Sequence, residues 1–309
     1  MSNMVIQPSN EQLDAIKKEY AHASVSKLAP GMIFAAVLPD VRVSMYKSGK
    51  VMFQGSGAVR EAEKWEAARS SGTYETPTRS SLLPEGFAMK SVLGSDETGT
   101  GDFFGPITVA ACYISRDQIA LAQELGCKDS KQLNDTLIRK IAPDIKAAFP
   151  HSILVLPMDK YNKATDKKWS QGKIKALLHN QALKHVLRKM APKKPEAILI
   201  DQFAEKGIYY RHIAEELEII REDVYFATKA EGLHVSVAAA SILARYAFLE
   251  EMDTLSESTG VMIPKGAGAK VDEVAARIIQ KKGVDYLRTI TKAHFANTQK
   301  AVKLAGVKK

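Results

Sequence analysis

Two adjacent carboxylates, Asp96 and Glu97, stand directly before a glycine-rich turn in the segment SDETGTGDFFGP, residues 95–106. A strand-like run, VLGS, precedes them and a second one, ITVAACYI, follows the turn, so we expect the acids where a strand ends. Hard divalent cations such as magnesium prefer oxygen ligands, and metal-assisted cleavage of a phosphodiester uses clustered carboxylates. Neighbouring strand residues point to opposite faces, so both acids can share one metal site only where the strand twists, bulges or ends.

Two further acids follow strand-like runs. Asp201 ends the apolar run EAILID, and Glu231 lies between the strand-like segment 224–228 and a long apolar helix pattern. The carboxyl end of a strand is the expected place for a site in an α/β sheet. Taken separately, each acid is better explained as a helix-capping or loop residue. Acids at three strand ends in one chain nevertheless favour a shared site.

Four motifs together resemble bacterial ribonuclease HIII, a family within the type 2 ribonucleases H. They are SDETGTGDFFGP, the segment DSKQL at residues 129–133, the strand that ends at Asp201, and AEGLHVSVAAASILAR. The segment HFANT and the additional N-terminal region are likewise similar, and the resemblance covers residues 90–300. Type II enzymes carry Gly-Arg-Gly where this chain has Gly99, Thr100 and Gly101, which favours the type III assignment.

The resemblance implies that four carboxylates form a catalytic site that holds two divalent ions, Mg²⁺ or Mn²⁺: Asp96, Glu97, Asp201 and Glu231. It implies an endoribonuclease that hydrolyses the RNA strand of RNA–DNA hybrids and leaves 5′-phosphate and 3′-hydroxyl ends. Two alternatives stay open: a type II-like enzyme that incises at single ribonucleotides in duplex DNA, and a catalytically silent hybrid-binding protein. Thr100 argues against the first, and the presence of all four acids argues against the second.

Substrate contacts are expected from two segments. A residue without Cβ lets its backbone approach closely, and the 2′-hydroxyl of RNA is both donor and acceptor, so Gly99, Thr100 and Gly101 are candidates to distinguish RNA from DNA. The family resemblance implies the same role. Ser130 and Lys131 are expected to contact a phosphate or the carboxylates, although a helix cap explains Ser130 almost as well.

The charge distribution favours a nucleic-acid partner. The formal net charge is +9 and the pI is about 9.3. Between residues 160 and 194, many lysines accompany a single acid, Asp166, and two aromatic residues, Tyr161 and Trp169, are interleaved with them. Such a basic stripe would bind phosphates regardless of sequence. For any one lysine, a solvated helix face remains the better explanation.

The length of 309 residues predicts more than one folding unit. Residues 70–86 are rich in Ser, Thr, Pro and Gly, so we expect an N-terminal substrate-binding domain at 1–70, a linker at 71–88 and a catalytic domain at 89–309. Strands expected near 91–97, 106–114, 151–156, 197–201 and 223–227 alternate with helices, which predicts an α/β fold. The resemblance implies a ribonuclease H-like mixed sheet flanked by helices.

The N-terminal part predicts a small α/β domain. A helical pattern containing Leu13, Ile16 and Tyr20 precedes strand candidates at 32–38, 41–46 and 51–54 and a second helix at 61–68. The resemblance implies a domain like half of the TATA-binding protein fold that grips the hybrid. Its nearly balanced charge leaves a stabilising or partner-docking role open. The candidate contacts are Tyr46, Lys47, Lys50 and Gln54.

Other classes of protein are disfavoured. Cys112 and Cys127 have no ligand-like spacing and are expected to be reduced core thiols. The apolar segment 235–255 is interrupted by charged residues, among them Arg245, Glu250 and Glu251, which predicts a packed core helix and not a membrane span. The first residues lack a charged start followed by an apolar run, so we expect a cytoplasmic protein without a membrane partner, and a monomer.

Overall fold

The structure, a computed structural model, describes residues 2–26, 28, 32–46, 49–66, 83–127 and 133–306. Backbone contacts divide the chain into two compact units, Met1–Thr76 and Pro77–Lys309, and each is described by itself. Most of the predicted linker at 71–88 lies outside the described residues, whereas Phe87 near its end is buried in a core cluster of the second unit. The predicted domain boundaries at 70 and 88 stay predictions.

The first unit is a four-stranded antiparallel sheet in the order β1-β4-β3-β2, packed with two helices. The predicted strands and helices are present, and the second helix begins three residues earlier than expected. Strand β1 was missed because its polar first residues give no strand pattern without the partner strand β4. The elements are β1 Ser2–Ile6, α1 Asn10–Glu19, β2 Met32–Val37, β3 Arg42–Tyr46, β4 Val51–Gly55 and α2 Ala58–Glu66.

The two faces of this sheet differ in character. Val43 lies opposite Phe53 across β3 and β4, and both are fully buried in a core that includes Ile16 and Tyr20. The alternate residues belong to the other face, since side chains alternate along a strand. The likeness to half of the TATA-binding protein fold stays a prediction.

The second unit contains a five-stranded mixed sheet in the order β7-β6-β5-β8-β9. Strand β5 is antiparallel to β6 and parallel to β8, and all five predicted strands are confirmed. The strands are β5 Val92–Thr98, β6 Ile107–Ile114, β7 His151–Leu156, β8 Ala197–Asp201 and β9 Val224–Ala227. The helices are α3 Ile119–Glu124, α4 Asp135–Ala148, α5 Met158–Asp166, α6 Gln171–Met190, α7 Lys206–His212, α8 Val235–Thr259, α9 Ala269–Ile290 and α10 Ala296–Leu304.

Helices cover both faces of the second sheet. All eight residues of β6 are buried: Val109 and Ala111 pack in the cluster that contains α6, and Ala110 and Cys112 pack in the cluster that contains α8. A strand covered on both faces is apolar throughout, which explains the continuous run ITVAACYI. Beyond α8, helices α9 and α10 enclose a third cluster. This architecture confirms the predicted α/β class with a mixed sheet flanked by helices.

Helix α8 approaches β5 closely at Gly94. A Cβ atom on Gly94 would lie 2.4 Å from the backbone of Ser236 and Val237, so only glycine permits this packing. The contact brings the first turns of α8 beside the carboxyl end of β5. Helix α8 covers the segment predicted at 235–255 and extends to Thr259, and no helix of the described residues is long and apolar enough to cross a membrane.

Candidate active site

Three of the four predicted acids line one small cleft. Strands β5 and β8 are parallel, and their last paired residues are Ser95 and Ile200, so the next residues, Asp96 and Asp201, lie side by side at the same sheet edge. Glu231 lies in the turn after β9, and the backbone N–H of Ala230 donates to Oδ1 of Asp201 at 2.8 Å. The cleft has a volume of about 230 Å³, and its other lining residues are Ile138, Lys229, Ser241 and Arg245.

Glu97 points away from this cleft, toward α6. Its Oε1 accepts from Nζ of Lys175 at 2.6 Å, and its Oε2 lies 3.0 Å from Nε2 of His179. Strand β5 continues through Glu97 to Thr98 in regular register with β6. Adjacent side chains therefore face opposite sides of the sheet, as expected for an unbroken strand.

The carboxylates differ in their electrostatic surroundings. Burial, and then the negative charges of Asp201 and Glu97, raise the pKa of Asp96 well above its ordinary value. Burial and the charge of Glu231 likewise raise the pKa of Asp201, against the hydrogen bond from Ala230. Burial also acts to raise the pKa of Glu97, but the hydrogen bonds and charges of His179 and Lys175 outweigh it and lower this pKa. Asp96 and Asp201 therefore take up protons more readily than ordinary aspartates, whereas Glu97 does so less readily than an ordinary glutamate.

The carboxylates of these acids are suitable ligands for a hard divalent cation, since such ions prefer oxygen ligands. Within the described ranges, however, no three His, Cys, Asp or Glu side chains already surround a single point. Glu97 faces Lys175 and His179 on α6, whereas Asp96, Asp201 and Glu231 line the cleft. The residues fit the implied ions by chemistry, and ion binding would have to draw them together.

A basic side chain connects the cleft to the predicted DSKQL segment. Arg245 on α8 lines the cleft, donates to Oδ1 of Asp135 at 2.6 Å, and donates to the backbone oxygen of Leu133 at 3.1 Å. These contacts anchor the chain directly after the segment. Ser130 and Lys131 themselves lie outside the described residues.

The two glycines of the turn after β5 differ in whether the fold requires glycine at their positions. Gly99 has a φ of +92°, and a Cβ there would lie 2.2 Å from the backbone oxygen of Pro106, so the fold itself requires glycine. Gly101 has no such restriction, because an added Cβ would meet no atom within 4 Å. The backbone oxygen of Thr100 accepts from Nε2 of Gln171 at 3.2 Å. Gly101 thus leaves open space beside a turn that the neighbouring helix holds in place.

A buried lysine supports the same turn from the C-terminal region. Lys292 is fully buried and its Nζ donates to the backbone oxygens of Asp102 at 2.8 Å and Gly105 at 2.6 Å. Burial lowers the pKa of Lys292 to about 8, against the opposing effect of the Asp102 charge. Lys292 lies two residues before the HFANT segment, and the sequence motif gave no indication of this contact.

The predicted basic stripe is only partly available to a nucleic acid. Tyr161 is fully buried, and Lys175 is occupied by Glu97. Lys184 is also buried and lies 3.5 Å from Glu218. Trp169 remains exposed, with Nζ of Lys173 at 4.7 Å from its ring centroid. Two lysines of the predicted stripe, Lys175 and Lys184, thus pair with acids at buried positions, and phosphate binding by the other lysines stays a prediction.

Sequence reasoning missed Lys175, His179 and Ser241 as neighbours of the acids. Lys175 and His179 are four residues apart on α6, a spacing that places both on one helix face. Ser241 contributes a hydrogen bond to Asp96 that opposes the rise of its pKa. The sequence signal that could have indicated Lys175 and His179 was their four-residue spacing among the apolar residues of α6.

In the first unit, Tyr46 ends β3 and Gln54 lies on β4, where it pairs with Arg42. Both alternate with the buried residues Val43 and Phe53, which places them on the sheet face away from the core. Lys50 immediately precedes β4, and Lys47 lies outside the described residues.

In the second unit, Cys112 and Cys127 are buried free thiols, as expected.

Comparison with known proteins identifies the class. The family model described as Ribonuclease HII matches residues 93–298, which include all four acids, and a model described as a domain of unknown function (DUF3378) matches residues 3–77. The chain thus belongs to the type 2 ribonuclease H class.

Relatives over the full chain narrow this class. Ribonuclease HIII of Lysinibacillus sphaericus is 55% identical over 98% of this chain and 100% of the relative, and that of Bacillus subtilis is 49% identical over the full length of both. The crystal structure of Bst-RNase HIII in complex with Mn²⁺ has a TM-score of 0.72 and 48% identity, covering 98% of this chain and 99% of that one. The chain belongs to the ribonuclease HIII family, which confirms the resemblance inferred from its motifs.

Proposed function

We propose that this protein is a metal-dependent endoribonuclease that hydrolyses the RNA strand of RNA–DNA hybrids and leaves 5′-phosphate and 3′-hydroxyl ends. Membership of the ribonuclease HIII family supports this activity. The observation that carries it is the convergence of Asp96, Asp201 and Glu231 on one cleft, with Glu97 on the adjoining face. The similar Bst-RNase HIII was crystallised with Mn²⁺, and we propose that this chain uses Mg²⁺ or Mn²⁺.

The four carboxylates would hold the ions, which when bound activate a water for in-line attack and stabilise the departing 3′ oxygen. Before ion binding, Asp96 and Asp201 carry raised pKa values because they are buried beside like charges. They therefore bind protons in competition with the ions, and cleavage is expected to weaken in acid. Ala230 and Ser241 orient the two acids through hydrogen bonds.

Selection of RNA is assigned to the turn formed by Gly99, Thr100 and Gly101. The open space at Gly101 permits a ribose to approach the backbone, where an N–H and a C=O match the donor and acceptor of a 2′-hydroxyl. Gln171 and Lys292 hold the turn from two sides, so its backbone groups are in place before a substrate arrives. Ser130 and Lys131 are proposed to contact a phosphate beside the cleft.

The N-terminal unit is proposed to grip the hybrid through the sheet face that carries Tyr46 and Gln54, and Lys47 and Lys50 are proposed as further contacts. Exposed Arg42 shares that face with Gln54 and adds a positive charge. Such contacts would bind the sugar-phosphate backbone without regard to sequence. We also propose that the protein acts as a cytoplasmic monomer, which light scattering and cell fractionation would test.

The proposed activity is tested by cleavage of an end-labelled RNA–DNA hybrid beside an RNA duplex, a DNA duplex and a DNA duplex with one ribonucleotide. Each is incubated with Mg²⁺, Mn²⁺ or a chelator. We expect metal-dependent cuts confined to the continuous hybrid. Incision at the lone ribonucleotide would favour a type II-like enzyme, and binding without cleavage would favour a silent hybrid-binding protein.

Variants test the assigned acids. We expect Glu97→Gln and Asp201→Asn to abolish cleavage while hybrid binding remains measurable, because each removes a negative charge needed to hold the ions and leaves the basic surface intact. Near-normal turnover of either variant would refute the assignment of that residue.

A further inference from the structure

Glu97 lies in a buried group of side chains that the four-carboxylate assignment does not explain. Nζ of Lys175 lies 2.6 Å from one carboxylate oxygen and Nε2 of His179 lies 3.0 Å from the other. His179 is fully buried and Lys175 is only 8% exposed. Both oxygens of Glu97 are therefore contacted from a single helix, α6.

The ring of His179 is itself fixed by β5. Its Nδ1 lies 2.5 Å from Oγ of Ser95, which is fully buried and lies two residues before Glu97 on the same face of the strand. A carboxylate has no hydrogen to donate, so Nε2 donates to Glu97, while Nδ1 shares a hydrogen bond with the Ser95 hydroxyl. One imidazole thus links two positions of the strand.

A fifth side chain, Phe203, closes the group from the loop that follows the neighbouring strand β8. The ring of Phe203, two residues after Asp201, stacks on His179 at 5.1 Å between centroids and lies 4.3 Å from Nζ of Lys175. The group thereby contacts the loop that follows β8. It joins the strands that carry Glu97 and Asp201 through α6.

Such a group is an unusual way to stabilise a core. Charged residues removed from water lose hydration energy that their mutual attraction recovers only with good geometry, and apolar replacements of buried ion pairs are often neutral or stabilising. Such a group is useful where a carboxylate must keep one orientation, because the outer partners of a metal ligand fix the position of that ligand. Each oxygen of Glu97 accepts one hydrogen bond here and retains a second lone pair.

We propose that Lys175 and His179 are positioning residues, which hold the carboxylate of Glu97 so that its remaining lone pairs are presented to the ions, with Ser95 and Phe203 fixing the His179 ring. This inference rests on the proposed function, since it concerns a carboxylate of the same site. The opposite possibility is that the two side chains only compete with the ions for Glu97. The two ideas predict opposite changes in ion affinity when the partners are removed.

The test measures Mn²⁺ binding to the full chain without nucleic acid, by titration calorimetry and by the electron paramagnetic resonance signal of free Mn²⁺. Lys175→Met and His179→Leu should each lower the affinity about 10–100-fold, the usual effect of losing an outer partner. His179→Gln, which keeps a donor for Glu97, should restore most of the loss. Ser95→Ala removes only the support of the His179 ring and should give a smaller decrease in Mn²⁺ affinity. This variant tests the proposal if Lys175→Met or His179→Leu fails to fold.

Lys184→Met is the matched control, because Lys184 is also a buried lysine of α6, and its carboxylate partner Glu218 lies outside the cleft. It should leave Mn²⁺ affinity unchanged. Unchanged or increased affinity in Lys175→Met and His179→Leu would overturn the positioning role and leave the proposed function intact. Failure of the wild-type protein to cleave hybrids would refute the proposed function instead.

Discussion

Replacement of Asp96 by asparagine should stabilise the metal-free protein while abolishing cleavage. Asp96 is buried beside the charges of Asp201 and Glu97. Asparagine has nearly the same shape and retains an oxygen to accept the hydrogen bond from the Glu97 N–H, which spans 2.7 Å. The substitution therefore removes a charge from the cleft without opening a cavity.

The magnitude follows from the repulsion that is relieved. Asp96 and Asp201 extend directly paired strands, and like charges at the strand spacing of roughly 5 Å repel by about 3 kcal/mol at an effective dielectric constant of about 20. Hydrogen bonds from Ser241 and the Glu97 N–H favour the charged form and offset part of this repulsion, so we expect the free energy of unfolding of Asp96→Asn to exceed that of the wild type by about 1–3 kcal/mol in a chelator at neutral pH. For a domain of this size, that corresponds to roughly 3–10 °C in the midpoint of thermal unfolding.

The order of stability should reverse when Mn²⁺ is added. An ion at about 100 times its dissociation constant stabilises the folded state by roughly 2.7 kcal/mol, and the variant has lost a ligand for it. Scanning calorimetry of both proteins, in a chelator and in excess Mn²⁺, measures whether the order of their thermal midpoints reverses. A variant that is less stable than the wild type in the chelator would refute the electrostatic reasoning.

The pH dependence of this difference has a defined sign. The folded-state pKa of Asp96 is raised above its ordinary value of 3.8, so the folded protein binds the proton more tightly than the unfolded chain. The resulting stabilisation is fully present below 3.8 and is lost as the pH rises through the folded-state pKa. The advantage of the variant should therefore be greatest at neutral pH and shrink in acid, as parallel urea unfolding curves would show.

Three other outcomes follow from the packing. Gly94→Ala should destabilise the protein by about 1–3 kcal/mol or more in urea unfolding because its methyl group meets the α8 backbone, whereas Gly101→Ala should leave stability nearly unchanged and reduce hybrid cleavage. Equal stability loss in both would contradict this. Lys292→Met should cost roughly 2–5 kcal/mol, because two backbone oxygens lose their donor, and an unchanged thermal midpoint would exclude that role. Deleting residues 1–76 should weaken hybrid affinity in a binding titration more than the maximal cleavage rate, and unchanged affinity would remove the gripping role.

Local sequence patterns were sufficient for the five strands of the second unit and for helix α8. Continuous apolar runs such as 107–114 belong to strands covered on both faces. The length and composition of such a run indicate a strand before its pairing partner is known. The short β1 was missed because only its pairing with β4 makes it a strand. The acids at strand ends and the glycine turn were also visible, since each has a residue type and a local position that carry chemical meaning.

The sequence by itself determined which residues carry the site's charge; only the tertiary structure decided how they are shared between its faces. Asp96 and Glu97 are neighbours in the chain, yet the pleat of β5 directs one into the cleft and the other toward α6. The partners Lys175 and His179 lie some 80 residues away, at sequence separations of 78 and 82 from Glu97. Local patterns cannot encode such pairs, because the contact exists only after α6 packs on the sheet and excludes water from both side chains.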